Sequence, residues 1–220
     1  MILELIPVIE IGYHHQGISA PDKHPYWEYP DLWDKFNSEC FKKAGFIDDF
    51  KPYLPGSSFY RLTDLTDNNL TKITIDYTKD WRDGNCNREQ VCAFPGGYVL
   101  RIDGQDKYFP QCCGDLADIK YWENIANGNE RVCYAGHPEP KIKIQKNKIT
   151  FDFLVDEDDE YFVPAPAENI IHFEISSLRK EIETVKKELE AFEQRLEKIN
   201  QNEQLNIDDI GELLINNDSN

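Results

Sequence analysis

The chain has 220 residues, of which 40% are hydrophobic, and carries a formal net charge of -17 at pH 7. This length and apolar content are sufficient for one domain with a hydrophobic core and an additional appendage. The acidity is concentrated after residue 150, where 19 acidic side chains accompany 6 basic ones. Because a negative field repels phosphate backbones, we expect no direct binding of nucleic acid and a preference for basic partners.

The N-terminal residues 1–11 are mostly aliphatic and predict an edge strand, since Pro7 has no N–H to donate to a second neighbour. This stretch lacks the basic start and the small-residue cleavage site of a signal peptide. Glu4, Pro7 and Glu10 interrupt it as a membrane span, and no later stretch has the length that a membrane helix needs. We therefore expect a cytosolic protein without membrane contact, whose six cysteines are reduced thiols.

An irregular segment rich in aromatic residues and prolines follows, from Tyr13 to Trp33. Tryptophan and tyrosine beside acidic residues are good anchors for a protein partner, and they also serve as ordinary packing for a loop that covers a sheet. Packing is the better interpretation for Tyr29 and Trp33. The candidate partner-binding residues in this segment are His14, His15, Tyr26 and Trp27.

Two helices are expected in the next part of the chain. Asp31 is a suitable N-cap for the first, and Gly45 provides its end. A second, short helix is expected to begin at Asp64 or Asp67. The run ITIDY at 73–77 is rich in residues that favour strands and predicts a strand directly after it.

The middle of the chain is rich in turns. Residues 97–103 alternate as a strand, and Asp103 with Gly104 forms a good hairpin turn into a second strand. Asp115 can cap a helix that continues through Trp122.

The clearest hairpin is KIKIQKNKITFDF, at residues 141–153, where isoleucines alternate with polar residues on either side of a turn at Lys146 and Asn147. Together these elements predict an α+β fold. It consists mainly of an antiparallel sheet with a few helices, followed by a long C-terminal helix that resembles a coiled coil.

The C-terminal part contains apolar residues in a strict 4-3 spacing, which places one narrow seam along a helix. We predict this helix over residues 168–201. A narrow seam with charge on its other sides needs another helix or a groove to cover it, so the sequence favours a homo-oligomer through 171–199 over packing on the protein's own body. The seam consists of Ile171, Ile175, Leu178, Ile182, Val185, Leu189, Phe192, Leu196 and Ile199.

These predictions divide the chain into four parts. A globular α+β body occupies residues 1–155, and an acidic, proline-containing spacer occupies 156–167. The heptad helix follows at 168–201, and a polar, flexible tail at 202–220 ends the chain.

The cysteines are the main candidates for chemistry. Cys112 and Cys113 precede the helix that begins at Asp115, where the helix N-terminus would lower the pKa of a thiol. A base would have to come from a histidine such as His14, His15 or His137, and no known nucleophile signature surrounds the pair.

A structural metal is not favoured either, because no C-x2-C pair occurs and adjacent cysteines are expected to point in different directions. We therefore expect no catalysis, no cofactor and no metal. The alternative is a cysteine-dependent or metal-supported enzyme built around Cys112, Cys113, Cys133 and His137.

A glycine turn at Gly96 and Gly97, two short strands and a helix that carries Trp122 follow one another within residues 96–122. In this arrangement the segment resembles bacterial toxin-immunity proteins of the SUKH type. The resemblance implies an acidic, cytosolic and non-catalytic protein that binds and blocks a toxin. The negative charge of the chain would fit a basic toxin as the target.

Three functional hypotheses result. The first is an acidic cytosolic protein that binds a protein partner, as an immunity-type inhibitor does, and self-associates through its helical arm. The second is the cysteine-dependent or metal-supported enzyme. The third is a structural adaptor in which the coiled coil is itself the function.

Overall fold

The computed structural model of the protein describes residues 1–130, 136–154 and 161–217. The chain forms two compact units. Unit 1 consists of Met1–Pro7 and Ala93–Glu190, and unit 2 consists of Val8–Cys92 and Ala191–Asn220. This division differs from the predicted continuous body at 1–155, because each unit combines segments that are distant in sequence.

The described strands form two antiparallel sheets, which confirms the α+β class. The strands are β1 (Leu3–Glu10), β2 (Phe59–Arg61), β3 (Gly96–Ile102), β4 (Gln105–Tyr108), β5 (Lys141–Gln145), β6 (Lys148–Asp152) and β7 (Ile170–Glu174). The four-stranded sheet has the order β2-β1-β3-β4, and the three-stranded sheet has the order β5-β6-β7.

The prediction that β1 is an edge strand is wrong, since β1 lies between β2 and β3. Proline is tolerated there because β2 is short. It pairs only with Val8, Ile9 and Glu10, so Pro7 lies just outside the part of β1 that pairs with β2. A missing N–H at that position removes no hydrogen bond to β2.

The predicted hairpin at 141–153 is confirmed. β5 and β6 pair in register from Lys141 opposite Asp152 to Gln145 opposite Lys148, and Lys146 occupies the turn with φ 57°. β7 then pairs with β6 and places Phe173 opposite Ile149. The alternating inward side chains of β6 and β7 are buried, as a sheet with one solvated face requires.

The described helices are α1 (Pro30–Lys43), α2 (Asp67–Tyr77), α3 (Lys79–Arg82), α4 (Ile119–Ala126) and α5 (Ile175–Asn202). The strand predicted at 73–77 is wrong, because these residues form the end of α2. The helix is started by Thr66, whose hydroxyl accepts the N–H of Asn69 at 3.2 Å, and it buries Leu70 and Ile73. Burial of that face outweighs the small helix penalty of β-branched residues.

The long helix is shorter than predicted. It begins at Ile175 rather than 168, because residues 170–174 form β7, and Ile171 therefore belongs to a strand. All nine seam residues are buried within the single chain, each at most 7% exposed. The chain therefore covers the seam itself, as in the alternative of packing on its own body, and self-association through 171–199 stays a prediction.

The flexible tail predicted at 202–220 is also wrong for the part that the structure describes. Asn200 binds the backbone of Ile207 in both directions, donating to its carbonyl at 2.7 Å and accepting its N–H at 3.1 Å. A π-helical turn follows at Glu212–Asn216, and the apolar residues of this segment are buried. They are Leu205, Ile207, Ile210, Leu213, Leu214 and Ile215.

The predicted spacer at 156–167 lies inside the sequence span of unit 1 and does not mark a boundary between the units. Its acidic residues 156–160 lie outside the described residues. In its second half, Phe162 is 5% exposed and belongs to a core. Within the described part of the chain, no helix combines the length and the apolar composition needed to cross a membrane.

Candidate functional site

The end of α1 positions the first side chains of a site in unit 2. Gly45 adopts φ 90°, and its N–H donates to the carbonyl of Lys42 at 3.1 Å. The next N–H, of Phe46, reaches back to the carbonyl of Phe41 at 3.0 Å. This is a Schellman motif, in which glycine ends the helix and the residue after it packs on the last turn. The phenyl rings of Phe46 and Phe41 accordingly lie 5.5 Å apart.

Further aromatic rings extend this contact into a cluster. The ring of Phe50 lies 4.2 Å from that of Phe41 and 5.0 Å from that of Phe46, and Tyr60 of β2 lies 5.1 Å from Phe50. The ring of Tyr13 lies 4.7 Å from that of Phe46 in an edge-to-face arrangement. Such pairs add directional attraction to the burial of apolar area, so the cluster provides a stiff aromatic wall.

Four rings of this wall line a cavity of about 340 Å³, namely those of Phe41, Phe46, Phe50 and Tyr60. Carboxylates share the lining: Asp34 from α1 and Asp48 and Asp49 from the loop after Phe46. Lys42 is the one basic residue among the described lining residues. The lining therefore combines aromatic faces with a net negative charge.

Backbone and side-chain donors hold two of these carboxylates. Asp34 accepts the N–H of Gly56 at 2.7 Å, and Asp48 accepts the hydroxyl of Thr66 at 2.7 Å. Gly56 has φ 80°, and a Cβ there would lie 2.9 Å from Cα of Pro30, so a side chain does not fit. Asp49 is exposed. Two carboxylates are therefore fixed in place, and the third is open to solvent.

The tyrosines at this site stay neutral at physiological pH. Burial raises the pKa of Tyr60, and the carboxylate of Asp34 raises it further. Burial likewise raises the pKa of Tyr13, followed by the charge of Asp76, which accepts the Tyr13 hydroxyl at 2.9 Å. The negative charge of the cavity therefore comes from its carboxylates alone.

Aromatic faces and carboxylates in one cavity form a suitable environment for a cation. A guanidinium or ammonium group gains from a ring face and from an ionised acceptor. One such contact is already present, since the amine of Lys72 lies 5.3 Å from the centre of the Phe46 ring. A volume near 340 Å³ also lies in the range of sites that enclose a side chain or a small ligand.

The four partner-binding residues predicted from sequence belong to unit 2, as the cavity does. None of them is among the described residues that line the cavity. His14 is exposed and contacts a lining residue, with its Nε2 3.3 Å from Oδ1 of Asn37. His15 is exposed, and Trp27 is 41% exposed. Tyr26 packs edge-to-face on Trp27 at 5.0 Å, and burial raises its pKa to about 12, with a further contribution from Glu10.

The predicted cysteine site belongs to unit 1. The Sγ atoms of Cys112 and Cys113 lie 3.5 Å apart, so the prediction that adjacent cysteines point in different directions is wrong here. His137 meets Cys112 through the backbone, donating its N–H to the Cys112 carbonyl at 3.0 Å. Cys133 lies outside the described residues. The described residues contain no group of three or more histidine, cysteine or acidic side chains placed to hold a metal ion.

Comparison of the chain with protein-family models, with curated proteins and with solved structures found no match. The interpretation of the site therefore depends on its own geometry.

Sequence reasoning missed the aromatic wall and the acidic lining. The signal that could have found them is FKKAGFIDDF, in which three phenylalanines flank a glycine stop and a pair of aspartates. Read as a helix end, this motif folds Phe46 onto Phe41 and leaves Asp48 and Asp49 beside them. The exposed Ile47, with 79% of its surface accessible, is a further indication that this loop faces outwards.

Proposed function

We propose that the protein is a non-catalytic binding protein that recognises a basic protein partner through the cavity of unit 2. The observation that supports this most directly is the presence of three aspartates and three phenylalanines in the lining of one cavity. An arginine or lysine side chain of the partner would enter the cavity, stack on the phenyl rings and pair with the carboxylates.

Arginine is the better fit of the two basic side chains. Its planar guanidinium stacks on aromatic faces and donates several hydrogen bonds at once, whereas a lysine amine acts as a point charge. The exposed Asp49 offers an acceptor at little cost of desolvation, and Asp34 and Asp48 keep acceptor positions fixed by their existing hydrogen bonds. Pre-positioned acceptors reduce the ordering cost of binding.

The surrounding surface supports the same partner class. The net charge of -17 raises the local concentration of a basic protein and accelerates its encounter with the cavity. Ile47 and Trp27 are exposed apolar side chains in the same unit and suit the apolar part of an interface. The partner would thus combine a basic side chain with an apolar rim.

The resemblance of residues 96–122 to SUKH-type immunity proteins narrows this proposal. The basic partner would then be a toxin, which the protein binds and blocks. We place the interaction in the cytosol, because exposed cysteines such as Cys92 and Cys113 are suited to a reducing compartment. The structural-adaptor hypothesis has less support, since its coiled-coil seam is covered within the chain.

The decisive experiment compares partner capture from the native host by the wild type and by Asp49→Lys. The variant reverses an exposed charge of the cavity and should lose the partner, because a like charge now meets its basic side chain. Glu190→Lys is the matched control, since it changes the net charge by the same amount at an exposed position of α5. The proposal fails if Asp49→Lys and Glu190→Lys retain the same proteins equally.

A second variant tests the aromatic contribution. Phe50→Leu keeps an apolar side chain and removes the ring face, so the captured partner should bind about 2- to 5-fold more weakly, as expected for loss of one partly exposed cation–π contact. Binding should also weaken as salt rises, because exposed charges are screened over about 10 Å at 0.1 M. Titration calorimetry at two salt concentrations measures both effects.

A further inference from the structure

The thiols of the adjacent residues Cys112 and Cys113 in unit 1 lie close together, which does not occur for neighbouring side chains in a regular strand. Successive side chains of an extended chain point to opposite faces. Cys113 instead has φ 70°, a left-handed conformation that is uncommon for a residue with a Cβ. This turn of the backbone brings its Sγ to 3.5 Å from the Sγ of Cys112, and both residues are exposed.

The loop that carries the thiols is held by a buried amide. Gln111 is 7% exposed and uses both ends of its side chain. Its Nε2 donates to the carbonyls of Phe109 at 2.8 Å and Val163 at 3.3 Å, and its Oε1 accepts the N–H of Val163 at 2.9 Å. A buried and satisfied amide fixes backbone position strongly, because any displacement leaves polar groups unpaired.

Backbone contacts fix the other side of the loop. The carbonyl of Cys112 accepts the N–H of His137 at 3.0 Å, and the N–H of Gly114 donates to the carbonyl of Gln111 at 3.0 Å. The carbonyl of Gly114 accepts the N–H of Gly96 at 2.9 Å. A Cβ at Gly114 would lie 2.9 Å from the carbonyl oxygen of Gly96, so the approach requires glycine. Hydrogen bonds thus hold the residues on both sides of Cys113, and an uncommon backbone conformation persists where the surrounding structure is held in this way.

We propose that Cys112 and Cys113 form a reversible oxidation site, which a small-molecule disulfide such as oxidised glutathione converts into a disulfide between the two neighbouring residues. One thiolate attacks the small-molecule disulfide, forms a mixed disulfide and releases one thiol. The second cysteine, as thiolate, then attacks the protein sulfur of the mixed disulfide and expels the second small thiol. The protein pair loses two electrons and two protons, and the small-molecule disulfide becomes two thiols.

Geometry makes this oxidation easy to reverse. Adjacent Cα atoms are about 3.8 Å apart, which is below the usual separation of about 4.4 to 6.8 Å across a disulfide. A disulfide in such a short ring is strained, and strained or exposed disulfides are the ones that are readily reduced. The site is therefore one that responds to the redox state of its surroundings rather than a structural crosslink. This inference is independent of the proposed partner cavity.

The distribution of cleavage sites makes a direct test possible. Trypsin cuts after Lys107 and Lys120, so residues 108–120 form one peptide that contains both thiols and no other cysteine. Cys40, Cys86, Cys92 and Cys133 each fall on a different peptide. The full chain is equilibrated at increasing ratios of oxidised to reduced glutathione, alkylated, digested and analysed by mass spectrometry.

As the ratio rises, we expect peptide 108–120 to lose two hydrogen atoms and to escape alkylation, which marks the closed form with a disulfide between the two cysteines. Dithiothreitol should return the peptide to the dialkylated form.

Cys112→Ser and Cys113→Ser should each trap a mixed disulfide with glutathione at the remaining cysteine. Cys92→Ser should leave the fraction of closed peptide unchanged. Because the folded loop holds the sulfurs together, we expect about tenfold less closed form in urea at the same ratio.

Three results would overturn the proposal. The first is a wild-type peptide 108–120 that takes two alkyl groups at every ratio. The second is a peptide that keeps one glutathione without closing or is crosslinked to another cysteine-containing peptide. The third is an equal closed fraction in urea and in the folded protein, since the loop would then contribute nothing.

Discussion

The two units hold their candidate sites by different means. In unit 2, packing of the rings of Phe41, Phe46 and Phe50 forms the wall of a cavity, and carboxylates supply its charge. In unit 1, hydrogen bonds to the side chain of Gln111 and to backbone groups fix a loop, and the loop brings two thiols together. The contrast suggests that ring packing suits a surface that receives a partner, whereas a hydrogen-bonded loop suits chemistry that requires a fixed distance between two atoms.

The largest expected change in stability comes from a substitution in α5, the helix that supplies residues to both units. Leu189 is 7% exposed and belongs to the seam. Leu189→Lys places a charge in a covered apolar environment and should lower the free energy of unfolding by about 5 kcal/mol, measured by urea denaturation. Glu190→Lys, at an exposed neighbour, should change it little. A variant that stays folded and converts a dimer into a monomer in light scattering would restore the self-association hypothesis.

A slightly smaller effect is expected from breaking the wall of the cavity. Phe41→Ala removes a ring that is 5% exposed and should cost about 4 kcal/mol of unfolding free energy. Leu32→Ala, at an exposed position of the same helix, is the control. Closure of the Cys112–Cys113 disulfide should be unaffected under native conditions. A parallel loss of closure would show that the two sites depend on each other.

A buried carboxyl group in the turn after the thiol loop makes the stability of the protein depend on pH. Asp118 is 9% exposed, and its carboxylate accepts the N–H of Asp115 at 3.0 Å. Burial raises the pKa of Asp118 to about 7, and the charge of Asp115 also raises it, although the hydrogen bond from the Asp115 N–H lowers it. In the unfolded chain this pKa is about 3.9.

Between about pH 4 and pH 7 the folded state therefore keeps a proton that the unfolded state has released, so stability falls as the pH rises through this window. Between pH 4 and pH 7 this group should lower the free energy of unfolding by about 3 kcal/mol. Asp118→Asn should remove this part of the pH dependence, measured as unfolding free energy at pH 4 and pH 7. Asp208→Asn, at an exposed position, should not. Parallel pH profiles for the wild type and Asp118→Asn would contradict the assignment.

The smallest effect on stability is expected from the loop anchor. Gln111→Leu leaves the N–H of Val163 and the carbonyl of Phe109 without their amide partner, which should cost about 2 kcal/mol. Its effect on chemistry should be larger, because the thiols lose their fixed separation and the closed fraction of peptide 108–120 should fall. Binding of a basic partner at the cavity should be unchanged. Closure at the wild-type level in this variant would mean that Gln111 does not position the thiols.

Local sequence signals predicted the elements that are defined by a few adjacent residues. The hairpin at 141–153 follows from alternation and a turn, and the end of α1 follows from Gly45. The strand predicted at 73–77 failed because burial of Ile73 in α2 outweighs the strand preference of β-branched residues. Neither the cavity nor the thiol pair could be predicted fully, since each requires contacts between residues that are not neighbours along the chain.

The sequence by itself determined the α+β class, the acidity, the 4-3 seam and the hairpin turns at Asp103 and Lys146. Only the tertiary structure decided what covers the seam. A heptad pattern specifies that a helix needs an apolar partner surface, but it does not specify whether that surface belongs to another chain or to the same one. The tertiary structure also brought the sulfurs of Cys112 and Cys113 together. Their loop is held by residues far along the chain, because Val163 donates a hydrogen bond to the side chain of Gln111 and His137 donates one to the carbonyl of Cys112.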